Sequence, residues 1–258
     1  MKVQLLPSSI DENGVASQRQ HLLSIIIDDC VAIDAGSLAL SCSNRQRQQI
    51  RDIILTHTHL DHIAGLPMFI DDLFGCLTEP IRIHATEEMV GILERDIFNW
   101  SIYPRFSELS NENGAVVEYC KFERGDRFEV KHLNVHSVGV NHPVSASGYI
   151  VSDGNAAVAV TGDTAETDDF WQACALEPDL RAAFVECAFP NELESLACVS
   201  GHLTPARLAG EIAKVADRSF PVFVINIKPM YRDKVMAQLR DAGLPQVEVL
   251  TVGKPYTF

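Results

Sequence analysis

A chain of 258 residues that is 47% hydrophobic and 22% charged has the apolar material for a large buried core, in one domain or two fused halves, and lacks the composition of a disordered chain. Its 35 acids outnumber its 21 bases, for a net charge of −14 with no run of lysine and arginine, which disfavours nucleic acid as a partner. The first residues carry no signal-peptide pattern, nowhere do about 18 apolar residues follow one another, and the seven cysteines are scattered without CxxC spacing, so a cytoplasmic protein with no membrane span and with thiols packed in its core is expected.

Residues 3–6 can form a first strand, and residues 21–28 and 30–34 a hairpin turning at Asp28-Asp29. The second arm ends in Ile33-Asp34-Ala35-Gly36, where the Asp34 carboxylate can support a neighbouring loop from behind. Residues 37–49 suit a short helix. A strand over 53–56 then runs into Thr56-His57-Thr58-His59-Leu60-Asp61-His62, and a helical pattern follows over 64–77. Three imidazoles and a carboxylate crowded where a strand ends suit zinc, manganese or iron. A turn there can aim His57 and His59 at one ion and Asp61 and His62 at another. His84, closing a strand over 81–84, reads as structural, and Thr86 can cap a helix reaching about residue 99, with Glu87 and Glu88 on the positive end of its dipole. Residues 100–114 have no clear period and read as a loop or a cap over the site.

In the second half, polar residues recur where apolar runs stop. Residues 116–122, 127–130 and 133–140 are β-rich, and the third run ends in Asn141-His142-Pro143; His132 and His136 read as surface or packing residues. Residues 149–152 and 156–161 pair around Asp153-Gly154-Asn155, and the later run ends in Gly162-Asp163-Thr164. A strand over 182–186 ends in Glu186. His202 precedes a helix capped by Thr204 with Pro205 at its first position, and Leu208, Ile212 and Val215 line one face of it. A strand over 222–225, ending at Asn226, a helix over 231–242 and a strand over 247–252 complete the chain. Hairpins with helices in each half predict an α/β fold of two sheets face to face with helices outside, a four-layer αββα sandwich, because each sheet must bury both faces. No GxGxxG or GxxxxGK[ST] element suggests a nucleotide-binding sheet instead.

Ends of neighbouring strands lie close together, so these polar residues predict one centre. His57, His59 and His142 fall to one ion, Asp61 and His62 to the other, and Asp163 bridges. Water activated between the ions would serve as nucleophile, and the pair can clamp the attacking and leaving oxygens of a phosphoryl group.

The H-x-H-x-D-H run of His57, His59, Asp61 and His62 resembles the signature of the metallo-β-lactamase superfamily. The resemblance implies a single hydrolase domain of that fold over residues 1–258, with two divalent ions, zinc first, manganese or iron as alternatives. Within that superfamily, His57-Thr58-His59-Leu60-Asp61-His62-Ile63-Ala64-Gly65-Leu66 is similar to class II cyclic-nucleotide phosphodiesterases. So are Arg19-Gln20-His21-Leu22, Ala32-Ile33-Asp34-Ala35-Gly36-Ser37-Leu38, Phe189-Pro190-Asn191 and Ser200-Gly201-His202-Leu203-Thr204-Pro205. Ribonuclease Z is more distantly similar through Gly201-His202-Leu203-Thr204. By this resemblance His202 is a proton donor to the leaving oxygen, oriented by Glu186, and Asp61 belongs to the catalytic machinery. The substrate implied is a small cyclic nucleotide or similar phosphodiester. Alternatives are a hydrolase of another ester, thioester or lactam, and a metal-binding protein without turnover. One departure stands out: where family members carry a metal-binding histidine in His-Ile-Lys-Pro, this chain has Asn226-Ile227-Lys228-Pro229. An amide oxygen is a weaker ligand than imidazole, so the second ion should be held less tightly or be a harder one such as manganese. Lys228 is open to a substrate phosphate or to solvent, and exposed strands or residues 100–114 leave room for a homodimer.

Overall fold

The computed structural model describes residues 1–215 and 219–258. Its strands are β1 (Lys2–Leu5), β2 (Ile25–Ile27), β3 (Val31–Ile33), β4 (Asp52–Ile54), β5 (Ile81–Ala85), a small hairpin of β6 (Ser110–Asn111) and β7 (Gly114–Ala115), β8 (Val117–Lys121), β9 (Arg127–Val130), β10 (Leu133–Gly139), β11 (Ser147–Ser152), β12 (Ala157–Val160), β13 (Leu180–Glu186), β14 (Val222–Ile225), β15 (Val247–Val249) and β16 (Pro255–Thr257). Two seven-stranded sheets result, ordered β16-β1-β2-β3-β4-β5-β8 and β15-β14-β13-β12-β11-β10-β9.

The apolar runs explain the layering. In β2, Ile25 and Ile27 face the other sheet while Ile26 joins the core under the first set of helices. In β14, Phe223 and Ile225 face the centre while Val222 and Val224 lie under the second set with Leu208, Ile212 and Val235. A strand apolar at every position is covered on both faces. Three core clusters therefore stack as helix on sheet, sheet on sheet and sheet on helix, the expected αββα sandwich.

Strand direction gathers the site. β12, β13 and β14 are parallel, and β10 runs the same way because both it and β12 are antiparallel to β11. Their C-terminal ends thus emerge on one edge. In the first sheet β3, β4 and β5 are parallel in the same manner, and the histidine-rich loop follows β4.

Several elements differ from the sequence pattern. The helix expected over 37–49 is two, Leu38–Ser41 and Asn44–Gln49, because Ser43 and Gln46 form a capping box that starts the second. The pattern over 64–77 becomes the helix Leu66–Leu73 and a 3-10 turn at Phe74–Cys76, preceded by a separate short helix over Leu60–Ile63. Gly65 marks the first break, and a Cβ there would meet the Ala35 carbonyl at 2.6 Å. Thr86 does cap its helix by accepting from the Met89 N–H, but after Ile92 that helix widens into a π turn over Leu93–Ile97. Residues 100–114 hold a 3-10 turn and the β6–β7 hairpin, and Phe106 is buried with Tyr103 and Leu109 against the first core. The helix Glu194–Ser200 and the edge strand β16 carry no pattern that announced them.

The expectation that all seven thiols pack in the core is corrected: Cys174 and Cys187 are buried, Cys30, Cys42 and Cys120 are partly exposed, and Cys76 and Cys198 are exposed. Among the described residues no helix is long and apolar enough to cross a membrane.

Candidate metal centre

Asp34 anchors the loop after β4. It sits at the end of β3 with φ of +59° and is fully buried, where it accepts hydrogen bonds from the Thr56 N–H (2.8 Å) and Thr56 hydroxyl (2.7 Å). Its Oδ2 lies 2.6 Å from His62 Nδ1. Burial alone raises the Asp34 carboxyl above its ordinary range. With Nδ1 committed to Asp34, the His62 ring presents Nε2 to Asp163, 3.3 Å from Oδ2. His57, whose Nδ1 lies 3.1 Å from the Thr56 hydroxyl, presents Nε2 to the same oxygen at 3.9 Å. The supporting role read for Asp34 in the sequence is thus visible in its bonds.

His142 enters from the end of β10. Its Nδ1 donates to the Gly201 carbonyl at 3.0 Å, which turns Nε2 toward His59 Nδ1 at 3.2 Å. That contact needs glycine at 201: φ is +68° and a Cβ would meet Pro143 Cδ at 2.4 Å. The ring centroids of His57, His59 and His142 stand 4.6 to 5.0 Å apart.

Among the described residues, three groups of side chains converge closely enough to hold an ion: His57, His59 and His142; His57, His62 and Asp163; and Asp163, Glu186 and His202, each with donor atoms within 4.8 Å. Nε2 of both His57 and His62 is buried without a hydrogen-bond partner. Two orphaned imidazole nitrogens facing one buried carboxylate fit divalent-cation chemistry. Burial holds His57, His59 and His142 below the usual imidazole value, and for His57 the charge of His62 adds to it. The neutral form they keep is the one with a lone pair to give. Asp163 is driven well below the carboxylate range; burial opposes this, but the charge of His62, 3.3 Å away, outweighs it. His62 is correspondingly held high against burial by Asp163 and Asp34.

Glu186, at the end of β13, is fully buried and accepts from the N–H groups of Thr164 (3.0 Å), Ala188 (2.9 Å) and Leu203 (3.3 Å). Its Oε1 lies 2.7 Å from His202 Nδ1, leaving Nε2 as the free end of that ring. Burial raises the Glu186 carboxyl; His202 is also raised, because the hydrogen bond and charge of Glu186 and the charge of Asp163 outweigh burial. Arg207, paired with Glu166, donates from Nη1 to the His202 carbonyl at 2.7 Å. Sequence reasoning missed Arg207, whose only signal is its place three residues after the Thr204 cap.

Two residues read as ligands of the second ion are oriented otherwise. Asp61 belongs to none of the converging groups found among the described residues; its Oδ2 accepts from Lys228 Nζ at 3.1 Å. Asp61 lies in the first turn of the short helix Leu60–Ile63, and the ammonium it meets belongs to Lys228, three residues past β14. Asn226, with φ of +51°, gives Asp163 Oδ1 an amide N–H at 2.5 Å, so its nitrogen rather than its oxygen faces the centre. A carboxylate draws the donor end of an amide. The Asn226 N–H is held by Gln20 Oε1 at 3.0 Å, a second contact the sequence did not suggest.

A two-sheet sandwich with this histidine cluster on the edge of its strands defines a class, and the comparisons agree. Residues 25–224 match the family described as the β-lactamase superfamily domain, and the chain belongs to that superfamily, with the metallo-β-lactamase fold. Among its relatives is a probable 3',5'-cyclic-nucleotide phosphodiesterase of Yersinia pestis, 25% identical over 211 residues, which are 72% of this chain and 59% of that protein. A ribonuclease Z of Prochlorococcus marinus is 33% identical over 113 residues, 43% of this chain and 35% of its own. The chain thus spans less than two thirds of the length of either relative. Among solved structures, unliganded yeast PDE1 superposes with a TM-score of 0.77 over 98% of both chains at 16% identity, a likeness of fold.

Proposed function

We propose that residues 1–258 work as one hydrolase domain that uses divalent metal to cleave a small phosphodiester, a cyclic nucleotide or a close analogue. The observation that carries this reading is the buried Glu186–His202 pair set 3.9 Å from Asp163 across the His57–His62 cluster, a proton donor beside a cation-binding pocket. His57, His59 and His142 with Asp163 would hold one ion, and His62 adds a nitrogen 3.3 Å from Asp163 Oδ2. Imidazole and carboxylate donors suit zinc first, then manganese or iron. A divalent ion bound there supplies Lewis acidity and brings the pKa of water toward neutrality.

The residues themselves divide the remaining work. Glu186 fixes the His202 tautomer by accepting from Nδ1, and its charge keeps the ring protonated, so Nε2 can give a proton to the departing alkoxide. Arg207 and Gly201 fix the backbone on either side of that ring, Gly201 by lending its carbonyl to His142. The Yersinia relative's name supports a cyclic-nucleotide substrate. The net charge of −14 supports a small substrate over RNA. Exposed thiols at Cys76 and Cys198 suit a reducing cytoplasm. The test is turnover of 3',5'-cyclic nucleotides and of bis-p-nitrophenyl phosphate with added zinc or manganese, abolished in His59→Ala. No turnover of either substrate with any divalent ion would overturn the proposal.

A further inference from the structure

We infer that this chain holds a single divalent ion tightly, on His57, His59, His142 and Asp163, and that Lys228 and Asn226 occupy the place of a second. The inference rests on the metal-dependent reading above and concerns how that centre is completed. A catalytic zinc takes about three protein ligands and an open position. The first group meets this with three imidazoles, and the Asp163 carboxylate stands beside it, its Oδ2 3.9 Å from His57 Nε2. Beyond that set, among the described residues, His62 Nε2 is left beside Asp163 as a nitrogen without a hydrogen-bond partner, while Asp61 is turned to Lys228 and Asn226 directs an N–H at Asp163 Oδ1. Two protein donors are too few for tight binding.

Charge points the same way. The Lys228 ammonium, 3.1 Å from Asp61 and only 30% exposed, lies beside the buried carboxylates of Asp163 and Glu186 and supplies a positive charge where a second ion would bring about two more. The Asn226 amide adds a donor hydrogen that repels a cation and satisfies the Asp163 oxygen a second ion would need. The left-handed backbone at 226 accepts histidine as well as asparagine, so the exchange can be reversed without straining the chain.

The test is zinc content after gel filtration, measured by elemental analysis, with cobalt(II) absorption as a second readout, on the wild-type chain, Asn226→His and Lys228→Ala. The wild type should retain about one ion per chain and Asn226→His about two, while Lys228→Ala, by releasing Asp61, should tighten the second ion on the order of tenfold. Two tightly held ions in the wild type, or one in all three proteins, would overturn the inference while leaving the metal centre standing. A folded wild type that retains none, like His59→Ala, would instead overturn the metal-dependent reading and this inference with it.

Discussion

Replacing His202 with alanine separates proton donation from site building. The ring's Nδ1 is tied to Glu186 at 2.7 Å, so the substitution removes one of four hydrogen bonds to that carboxylate and leaves the N–H groups of Thr164, Ala188 and Leu203 in place. The buried charge stays partly satisfied, and the stability cost should be about 2 kcal/mol, the scale of one charge-assisted hydrogen bond. Catalysis should suffer more. A positioned general acid is worth roughly 10²- to 10⁴-fold, or about 3 to 5 kcal/mol of barrier, provided the leaving group needs a proton. An alkoxide leaving from a cyclic nucleotide needs one, whereas p-nitrophenolate leaves readily without it. The assay is kcat on both substrates under saturating zinc or manganese, with the melting midpoint to verify folding. The loss should be large on the cyclic nucleotide and within about tenfold of wild type on bis-p-nitrophenyl phosphate. Equal losses on both substrates in a folded variant would show that His202 merely shapes the pocket and would refute its assignment as acid.

Other consequences follow from particular contacts. Gly201→Ala places a Cβ 2.4 Å from Pro143 Cδ at a φ of +68°, and should cost about 2 kcal/mol of stability and weaken zinc binding through His142; an unchanged zinc affinity by competition titration would contradict the link from Gly201 to that ring. Chelation should lower the melting midpoint by about 5 to 10 °C, the effect of losing a ligand present at about a hundred times its Kd, and a midpoint indifferent to chelator would count against a resident ion. Asp52 is nearly buried and, although burial raises it, hydrogen bonds from Arg82 and His84 push its carboxyl well below the ordinary range. A depressed folded value contributes stability that is full above the unfolded value near about pH 4 and fades as pH falls through the folded one. Asp52→Asn should therefore be less stable on the order of 2 kcal/mol at neutral pH, discounted for the partly exposed Arg82, with the gap closing below about pH 4 in denaturant titrations; a gap that widens in acid would reverse the sign.

Much of the architecture is legible because strands buried on both faces read as unbroken apolar runs, as in Ile25-Ile26-Ile27 and Val222-Phe223-Val224-Ile225. Polar residues that interrupt such runs at their ends, His142, Asp163 and Glu186 among them, stand out for the same reason. What the pattern could not carry is orientation. Asp61 and Asn226 share the motif of ligands, yet one carboxylate answers a lysine 167 positions away and the amide turns its donor to a neighbour. Those choices are made by charges brought together in three dimensions, which no local spacing records. The helix Glu194–Ser200 escapes for a different reason: it has no side-chain cap, and its apolar Leu196 and Val199 face outward, so the usual amphipathic stripe is missing. Cys76 and Cys198 likewise follow composition into the core but stand in solvent, since a thiol's small size lets it sit at either place.

Position 226 explains how such a centre can change while the sandwich around it persists. β14 is anchored by four buried side chains and ends before Asn226, whose left-handed backbone suits asparagine in its own right. Its side-chain amide then finds a partner in Asp163, and its backbone N–H one in Gln20. The packing that defines the fold and the polar residue that follows β14 are thus energetically separable at this strand end. The same separation holds at the ends of β10, β12 and β13, where His142, Asp163 and Glu186 project from strands held by apolar contacts on both sides. A sheet held in this way can keep its shape while the polar residues on its rim vary, because the apolar contacts on its two faces do not depend on them.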